Sequence, residues 1–137
     1  MTLRTTILPK GLLFILFVFV TSLLRASHMA GSEITYTCIG PNQYQVKLVT
    51  YRDCSGIAAD ASTLINYRST ACGVNASVQL NLQSTVDITP VCNSAVSTCA
   101  GGTVHGIEKL VYTGVLTLPN GCSDWVLSYD LCCRNGS

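Results

Sequence analysis

Eight cysteines in a chain of 137 residues constrain its fold more than any other feature. Their number is even, and the first of them lies well beyond a strongly apolar N-terminal segment. Such a segment predicts export, and an exported chain meets an oxidising environment in which cysteines pair. The sequence therefore predicts a disulfide framework, and its candidates are Cys38, Cys54, Cys72, Cys92, Cys99, Cys122, Cys132 and Cys133.

The N-terminal segment has the three-part order of a secretory signal peptide. Basic residues come first, an apolar run from Leu12 to Leu24 follows, and the small residues Ala26 and Ser27 come last. The alternative is a membrane anchor, but this run is shorter than the roughly 20 residues that span a bilayer. We expect residues 1–26 to be a signal peptide, cleaved after Ala26 or Ser27. The mature chain is then extracellular or on the cell surface, with no membrane span.

Composition and charge narrow the classes of function. Hydrophobic residues make up 48% of the chain, which suits one domain with one core, and only 11% are charged, where about 25% is usual. The formal net charge of +1 includes Arg4, Lys10 and Arg25 of the expected signal peptide, so the remainder carries about −2. A chain of this kind has no basic footprint for nucleic acid, and no nucleic-acid partner is expected.

Beyond residue 27 the chain alternates strand-like runs with turn residues. Apolar and polar side chains alternate within these runs, and clusters of Gly, Ser, Ala and Asn separate them. The pattern predicts an all-β fold over residues 27–137, a disulfide-stapled antiparallel β-sandwich, with a partly closed β-barrel as the alternative. The predicted strands cover residues 34–39, 44–51, 62–68, 76–88 and 108–119, with a last strand from about residue 124.

The first two predicted strands form an antiparallel hairpin around the sequence Gly-Pro-Asn. Because successive side chains of a strand point to opposite faces, we expect one face of the second strand in the core and the other in water. The inner set is Tyr44, Val46 and Leu48, and the outer set is Gln45 and Lys47. The last run alternates in the same way, with Trp125, Leu127, Tyr129 and Leu131 on one side and Val126, Ser128 and Asp130 on the other.

Two adjacent cysteines, Cys132 and Cys133, follow the last run. Their side chains diverge in a strand, so each is expected to pair with a different distant cysteine, leaving no free thiol. Many complete pairings of eight cysteines are possible, and spacing alone does not choose among them. The arrangement that we favour joins Cys92 to Cys99 and Cys54 to Cys72, and it leaves Cys38 and Cys122 for the terminal pair.

Motifs for metal binding and catalysis are not found in the sequence. A structural zinc site uses close ligand pairs such as C-x₂-C, which the cysteine spacing does not match, and neither His28 nor His105 has a flanking motif. A G-x-S-x-G elbow is also missing. We expect no catalytic, cofactor-binding or metal-binding residue and no enzyme activity. Calcium binding by loop aspartates stays open, and these are Asp53, Asp60, Asp87, Asp124 and Asp130.

Two N-x-S sequences and five aromatic residues could each concern glycans, but neither set identifies a ligand. Asn75 and Asn135 each begin an N-x-S sequence, which is a glycosylation acceptor only in a eukaryotic secretory pathway. Five aromatic residues could either stack on a glycan or pack in the core, and their alternating positions favour packing. They are Tyr36, Tyr44, Tyr51, Tyr112 and Trp125.

Two long stretches of the mature chain resemble one family. "SHMAGSEITYTCIGPNQYQVKLVTYRDCSG", from Ser27 to Gly56, and "GIEKLVYTGVLTLPNGCSDWVLSYDLCCRNGS", from Gly106 to Ser137, are similar to the N-terminal domain of very large secreted surface proteins of Bacteroidota. Those proteins often carry immunoglobulin-like or PKD repeats and end in a gliding-motility-associated, type IX secretion sorting domain. The most specific matches are "GSEITYT", "YRDCSG" and "CSDWVLSYDLCCRNGS", whereas residues 57–102 match only through Cys72, Cys92 and Cys99.

The resemblance implies export to the cell surface and a part in adhesion, surface-layer or gliding-related architecture, without a catalytic residue. In the family the chain runs on past the "CCRN" strand, so we expect the domain to be truncated at its C-terminal end and to have downstream domains as partners. The expected function is a non-enzymatic N-terminal module of a cell-surface or adhesin-like protein, structural or binding a surface glycan or protein. The alternatives are a cap or carbohydrate-binding module of a secreted hydrolase with a downstream catalytic domain, and a free-standing small secreted binding protein.

Overall fold

The computed structural model describes residues 29–119 and 121–131, which form six β-strands and one short 3-10 helix. The alternating sequence pattern located every strand, although the first begins earlier than predicted and the last is only three residues long. The 3-10 helix, Thr98–Ala100, was not predicted. The strands are β1 (Met29–Gly40), β2 (Gln43–Asp53), β3 (Ser62–Ser69), β4 (Val74–Asp87), β5 (Ile107–Thr117) and β6 (Val126–Ser128).

The strands form one antiparallel sheet in the order β1-β2-β5-β4-β3-β6, and this sheet is nearly closed like a barrel. β5 pairs with β2 on one side and with β4 on the other, so the ladder of hydrogen bonds is continuous where a sandwich would have a gap between two sheets. The fold is therefore the partly closed barrel that the sequence offered as the alternative. A register shift between Leu82 and Ser84 adds a local bend to β4.

Alternating side chains of the strands fill the interior of the barrel. The prediction for the β1–β2 hairpin is confirmed, because Val46 and Leu48 are 0% exposed while Gln45 and Lys47 face solvent. Tyr44 is half-buried and packs against the core. The buried hydrophobic cluster consists of Val46, Leu48, Ile65, Leu80, Leu110, Tyr112, Leu116 and Leu118.

The two ends of the barrel carry different connections. The hairpin end holds the β1–β2 turn at residues 41–42, the β3–β4 turn at 70–73 and residues 118–119 and 121–125. The loop end holds the β2–β3 connection at residues 54–61 and the long β4–β5 connection at 88–106. Because β6 runs antiparallel to β3, the last described residues return towards the loop end.

Two disulfides, Cys54–Cys99 and Cys72–Cys122, each tie one end of the barrel. The expected Cys54–Cys72 bond is wrong, because the whole length of β3 separates the two cysteines, roughly 25 Å for a strand of eight residues. The expectation that Cys122 serves the terminal cysteines is also wrong, since both Cys72 and Cys122 lie at the hairpin end and bond there.

The loop end explains why Cys99 does not pair with Cys92, as chain spacing suggested. Cys99 lies in the 3-10 helix, and Gly106 passes so close that a Cβ atom there would lie 2.7 Å from the Cys99 Sγ. The amide of Cys54 donates to the carbonyl oxygen of Gly106 over 3.0 Å. Gly106 therefore brings Cys54 and Cys99 together, and only a residue without a side chain permits this approach.

Of the other four cysteines, two lie within the described residues and two lie outside them. Cys38 and Cys92 are exposed and form no disulfide with any described cysteine, so the expectation that every thiol is paired is not met within the described residues. Cys132 and Cys133 lie outside the described residues, and the expectation that they do not bond to each other stays a prediction.

Candidate functional site

β1 and β6 are the edge strands of the sheet, and no backbone pairing joins them within residues 29–119 and 121–131. We call the space between β1 and residues 122–131 the seam. Tyr36 and Trp125 line one cavity at its hairpin end, and Met29 and Leu131 line another at its loop end. Residues 122–131 therefore run antiparallel to β1 along the seam.

The hairpin-end cavity has a volume of about 250 Å³ and mainly aromatic and aliphatic walls. Tyr36 is 66% exposed although it lies on the inner face of β1, because β1 has no neighbour on its outer edge in the described part of the chain. Its ring meets that of Tyr44 edge to face, with centroids 6.0 Å apart. Across the cavity Trp125 lies against Tyr67, with ring centroids 6.1 Å apart. The cavity floor reaches the buried side chain of Leu116.

The loop-end cavity has a volume of about 140 Å³, and its lining adds the polar side chains of Thr50, Arg52, Asp60 and Thr63 to apolar ones. Thr50 lines it and is 1% exposed, yet its hydroxyl has no hydrogen-bond partner among the described residues. Tyr112 lines it as well and donates its hydroxyl to the carbonyl oxygen of Asp60 over 3.0 Å. Burial, reinforced by Tyr129 and Asp60, raises the pKa of Tyr112 above its ordinary value, so this hydroxyl keeps its proton and acts as a donor.

A buried ion pair supports the wall of the loop-end cavity. The guanidinium of Arg52 lies 2.5 Å from the Glu108 carboxylate, and the two side chains are 11% and 13% exposed. The same guanidinium donates to the carbonyl oxygens of Gly56 and Ile57, which fixes the start of the β2–β3 connection. Its donors are thus used for structure, as is typical of a paired buried arginine.

Asp124 holds the start of residues 122–131 against the β3–β4 turn. Its carboxylate accepts hydrogen bonds from the amides of Thr70 and Ala71 over 2.8 and 2.9 Å and from the hydroxyl of Ser69. These bonds, led by that of Ser69, lower the pKa of Asp124 below its ordinary value. The aspartate therefore positions Trp125, the next residue, in the wall of the seam.

At the loop end, Asp87 fixes a loop through hydrogen bonds to its carboxylate, as Asp124 does at the hairpin end. Its carboxylate accepts from the hydroxyl of Ser97 and from the amide of Thr89 over 2.9 Å. The hydrogen bond of Ser97 is the main cause that lowers the pKa of Asp87, followed by those of Thr89. This carboxylate orders the long connection at residues 88–106.

The remaining residues that the sequence singled out are not brought together. Asp53 lies 3.6 Å from His105, which is largely exposed, and Asp130 accepts from the Asn66 side chain over 2.8 Å. Within the described residues no three His, Cys, Asp or Glu side chains converge as a metal site would require. His28 and Asn135 lie outside the described residues.

A third cavity lies on the outer face of β3, β4 and β6, with a volume of about 410 Å³. Its walls are polar and include the exposed Asn75, Arg68 and Asp130. Asn75 begins one of the two N-x-S sequences, and its exposure at the start of β4 makes it accessible. The cavity is an open groove without a buried apolar wall, in contrast to the seam.

The sequence did not reveal the seam. Alternation favoured core packing for both Tyr36 and Trp125; Trp125 does pack against the core, but Tyr36 is 66% exposed, because alternation could not show that β1 is an edge of the sheet. Strand order depends on contacts between distant parts of the chain, which a period of two does not encode. The composition of β1 gave no signal either, because Met29–Gly40 lacks the lysine, arginine and proline that edge strands commonly carry.

Comparisons with protein-family models, with curated proteins and with solved structures find no match to this chain. Residues 29–119 and 121–131 contain no helix of the length and apolarity that crossing a membrane requires.

Proposed function

We propose that this chain is an exported, non-enzymatic β-module of a cell-surface protein, with a structural or adhesive role. The observation that carries the proposal is the pair of disulfides, which close chain separations of 45 and 50 residues at opposite ends of one small barrel. Bonds of this kind persist in oxidising compartments and resist mechanical and chemical stress outside the cell. The apolar N-terminal segment and the resemblance to surface proteins of Bacteroidota support the same reading.

Export is tested by expressing the full chain in a bacterial host that has an oxidising periplasm. We expect the mass of the purified protein to show loss of about the first 26 residues and at least the two disulfides of the described residues, and a Leu16→Arg variant of the apolar run to stay in the cytosol. Full-length, reduced protein in the cytosol for the unchanged chain would contradict the proposal.

The modular role is tested on the gene. A reading frame that continues past Ser137 into repeat domains and a sorting domain supports the surface-protein assignment. A stop codon directly after Ser137 would support a free-standing binding protein instead, and a downstream hydrolase domain would support a cap.

The aromatic lining of the seam favours a second candidate, a carbohydrate-binding module. Tyr36, Tyr44 and Trp125 supply rings of the kind on which sugars stack. Apart from the rings, however, Ser123 supplies the one polar side chain among the described residues that line this cavity. Sugar recognition requires several convergent hydrogen-bonding groups, so we place this candidate second. Binding of the oxidised protein on a glycan array, lost in Trp125→Ala, would reverse the order.

A further inference from the structure

The barrel interior at the loop end contains a hydroxyl group without a hydrogen-bond partner. Thr50 belongs to the inward set of β2, as Val46 and Leu48 do, and it lines the loop-end cavity with 1% of its surface exposed. Its hydroxyl bonds to no other described residue. Buried polar groups are hydrogen-bonded in the large majority of cases, so this hydroxyl points to a bound molecule that supplies the partner.

The same cavity contains a second hydroxyl, whose role in hydrogen bonding is fixed. Tyr112 is 4% exposed, lines the cavity and donates its proton to the carbonyl oxygen of Asp60 over 3.0 Å. Because this proton is engaged, the Tyr112 oxygen can only accept a further bond. The Thr50 hydroxyl can both donate and accept. A molecule in the cavity therefore meets one acceptor and one group that acts in either sense.

The rest of the lining is largely apolar. Leu110 is 1% exposed and lies beside Thr50 in the β2–β5 ladder, so it forms an apolar wall next to the hydroxyl. Met29, Ile57 and Leu131 also line the cavity, and the last two are partly open to solvent. The buried residues mark the floor and the exposed ones the rim. The cavity thus combines a hydroxyl-bearing floor with apolar contacts up to its rim.

The charged residues of the lining favour a neutral occupant. The guanidinium of Arg52 pairs with Glu108 and also donates to the carbonyl oxygens of Gly56 and Ile57, so its charge is compensated and it holds the rim in place. Asp60 is exposed, and water can solvate its carboxylate. An ion bound among these walls would lose hydration without gaining a free counter-charge.

The volume of the cavity sets the size of the occupant. It measures about 140 Å³, close to the roughly 150 Å³ of an apolar protein cavity that accepts one benzene molecule. A ligand with about six or seven non-hydrogen atoms therefore fills it.

We infer that the loop-end cavity binds a small neutral alcohol or phenol. The ligand hydroxyl accepts a bond from Thr50 and donates one to Tyr112, while its apolar skeleton packs against Leu110 and the rim. A hydroxyl does both through one oxygen, whereas a carbonyl cannot donate and an ammonium cannot accept. Water could make the same two bonds but would leave the apolar walls without contacts. This inference goes beyond the proposed function and does not depend on export.

The test compares two probes of nearly the same shape, phenol and toluene, which differ by a hydroxyl and a methyl group. Their affinities for the oxidised protein are measured by NMR titration. Thr50→Val removes the hydroxyl and keeps the shape of the side chain, so the affinity for phenol relative to toluene should fall about fivefold. Thr117→Val is the matched control, because Thr117 is exposed and does not line the cavity, and it should leave the ratio unchanged.

The position of bound phenol is determined on the unchanged protein, so this part of the test does not depend on a variant. We expect nuclear Overhauser contacts from phenol to the methyl groups of Leu110 and Met29, which line the loop-end cavity. Trp125 lines the hairpin-end cavity instead and should show no contact.

Three outcomes would overturn the inference. Without saturable binding of phenol, the cavity is a site for water only. A phenol-to-toluene ratio that Thr50→Val leaves unchanged would show that the hydroxyl does not recognise the ligand. Contacts of phenol with Trp125 in place of Leu110 would assign binding to the hairpin-end cavity. None of these results bears on export, so the two proposals fail separately.

Discussion

At the residue scale, Thr50 is a polar group that the core does not satisfy. Its side chain is buried on the inner face of β2, and its hydroxyl has no partner within the described residues. A buried hydroxyl without a hydrogen bond costs about 1 to 3 kcal/mol relative to an apolar group of the same shape. Thr50→Val should therefore stabilise the isolated domain by about 1 kcal/mol, measured as a rise in the urea midpoint.

Thr117→Val is the matched control for this change. Thr117 is an exposed residue of β5, so its replacement should alter the free energy of unfolding by less than about 0.5 kcal/mol. A clear loss of stability in Thr50→Val would show that the hydroxyl has a hydrogen-bond partner.

The carboxylate of Asp124 makes stability depend on pH. Its pKa in the folded protein lies below the ordinary value of an aspartate, because the Ser69 hydroxyl and the amides of Ala71 and Thr70 stabilise the charged form. A depressed pKa contributes stability that is present above the unfolded value and is lost as pH falls through the folded value. We expect the urea midpoint to fall as the pH is lowered from about 5 towards 3, and to fall less in Asp124→Asn.

Asp124→Asn should also be less stable than the unchanged protein at neutral pH, since the amide cannot accept three bonds as a carboxylate does. Asp130→Asn is the control, because among the described residues Asp130 accepts from the side chains of Asn66 and Ser128 and from no backbone amide. If both variants follow the same pH profile as the unchanged protein, Asp124 has no such role. Asp87 contributes to the profile in the same direction, which both variants retain.

At the scale of the element, the alternation of β2 decides which substitutions the barrel tolerates. Val46 is fully buried in the core, opposite Tyr36 on one side and Gly114 on the other, so Val46→Asp places an unpaired charge there and should unfold the domain. Lys47, its neighbour, is exposed, and Lys47→Asp should be nearly silent. Circular dichroism and urea unfolding measure both, and equal effects would show that the register of β2 is wrong.

The strands could be predicted because their signal is local, whereas their order could not. Because side chains alternate along a strand, the sequence predicts that Val46 and Leu48 lie on the inner face and Lys47 on the outer face. The turns between strands contain the expected Gly and Asn. The choice between sandwich and barrel depends on whether β5 pairs on both sides, and no local pattern encodes that. The cysteine pairing failed for a related reason: Cys99 reaches Cys54 through the turn at Thr98–Ala100 and the close passage of Gly106, which spacing does not show.

At the scale of the whole molecule, the two disulfides hold different parts of the barrel and should have separable effects. Each closes a similar chain separation, 45 residues for Cys54–Cys99 and 50 for Cys72–Cys122. On the chain-entropy model the loss of either therefore costs about 3 to 4 kcal/mol. The structural consequences differ, since Cys72–Cys122 anchors the start of residues 122–131 and Cys54–Cys99 anchors the connections at the opposite end.

Replacing both cysteines of one bond by serine tests this division. Cys72→Ser with Cys122→Ser should release the wall of the seam, so that Trp125 emission shifts to longer wavelength at a temperature where the domain is still folded. Cys54→Ser with Cys99→Ser should lower the urea midpoint by a similar amount and leave Trp125 emission unchanged, because Trp125 lies at the other end of the barrel. Equal shifts of emission in the two folded variants would mean that the bonds stabilise the molecule only as a whole, and that the hairpin-end bond has no particular part in shaping the seam.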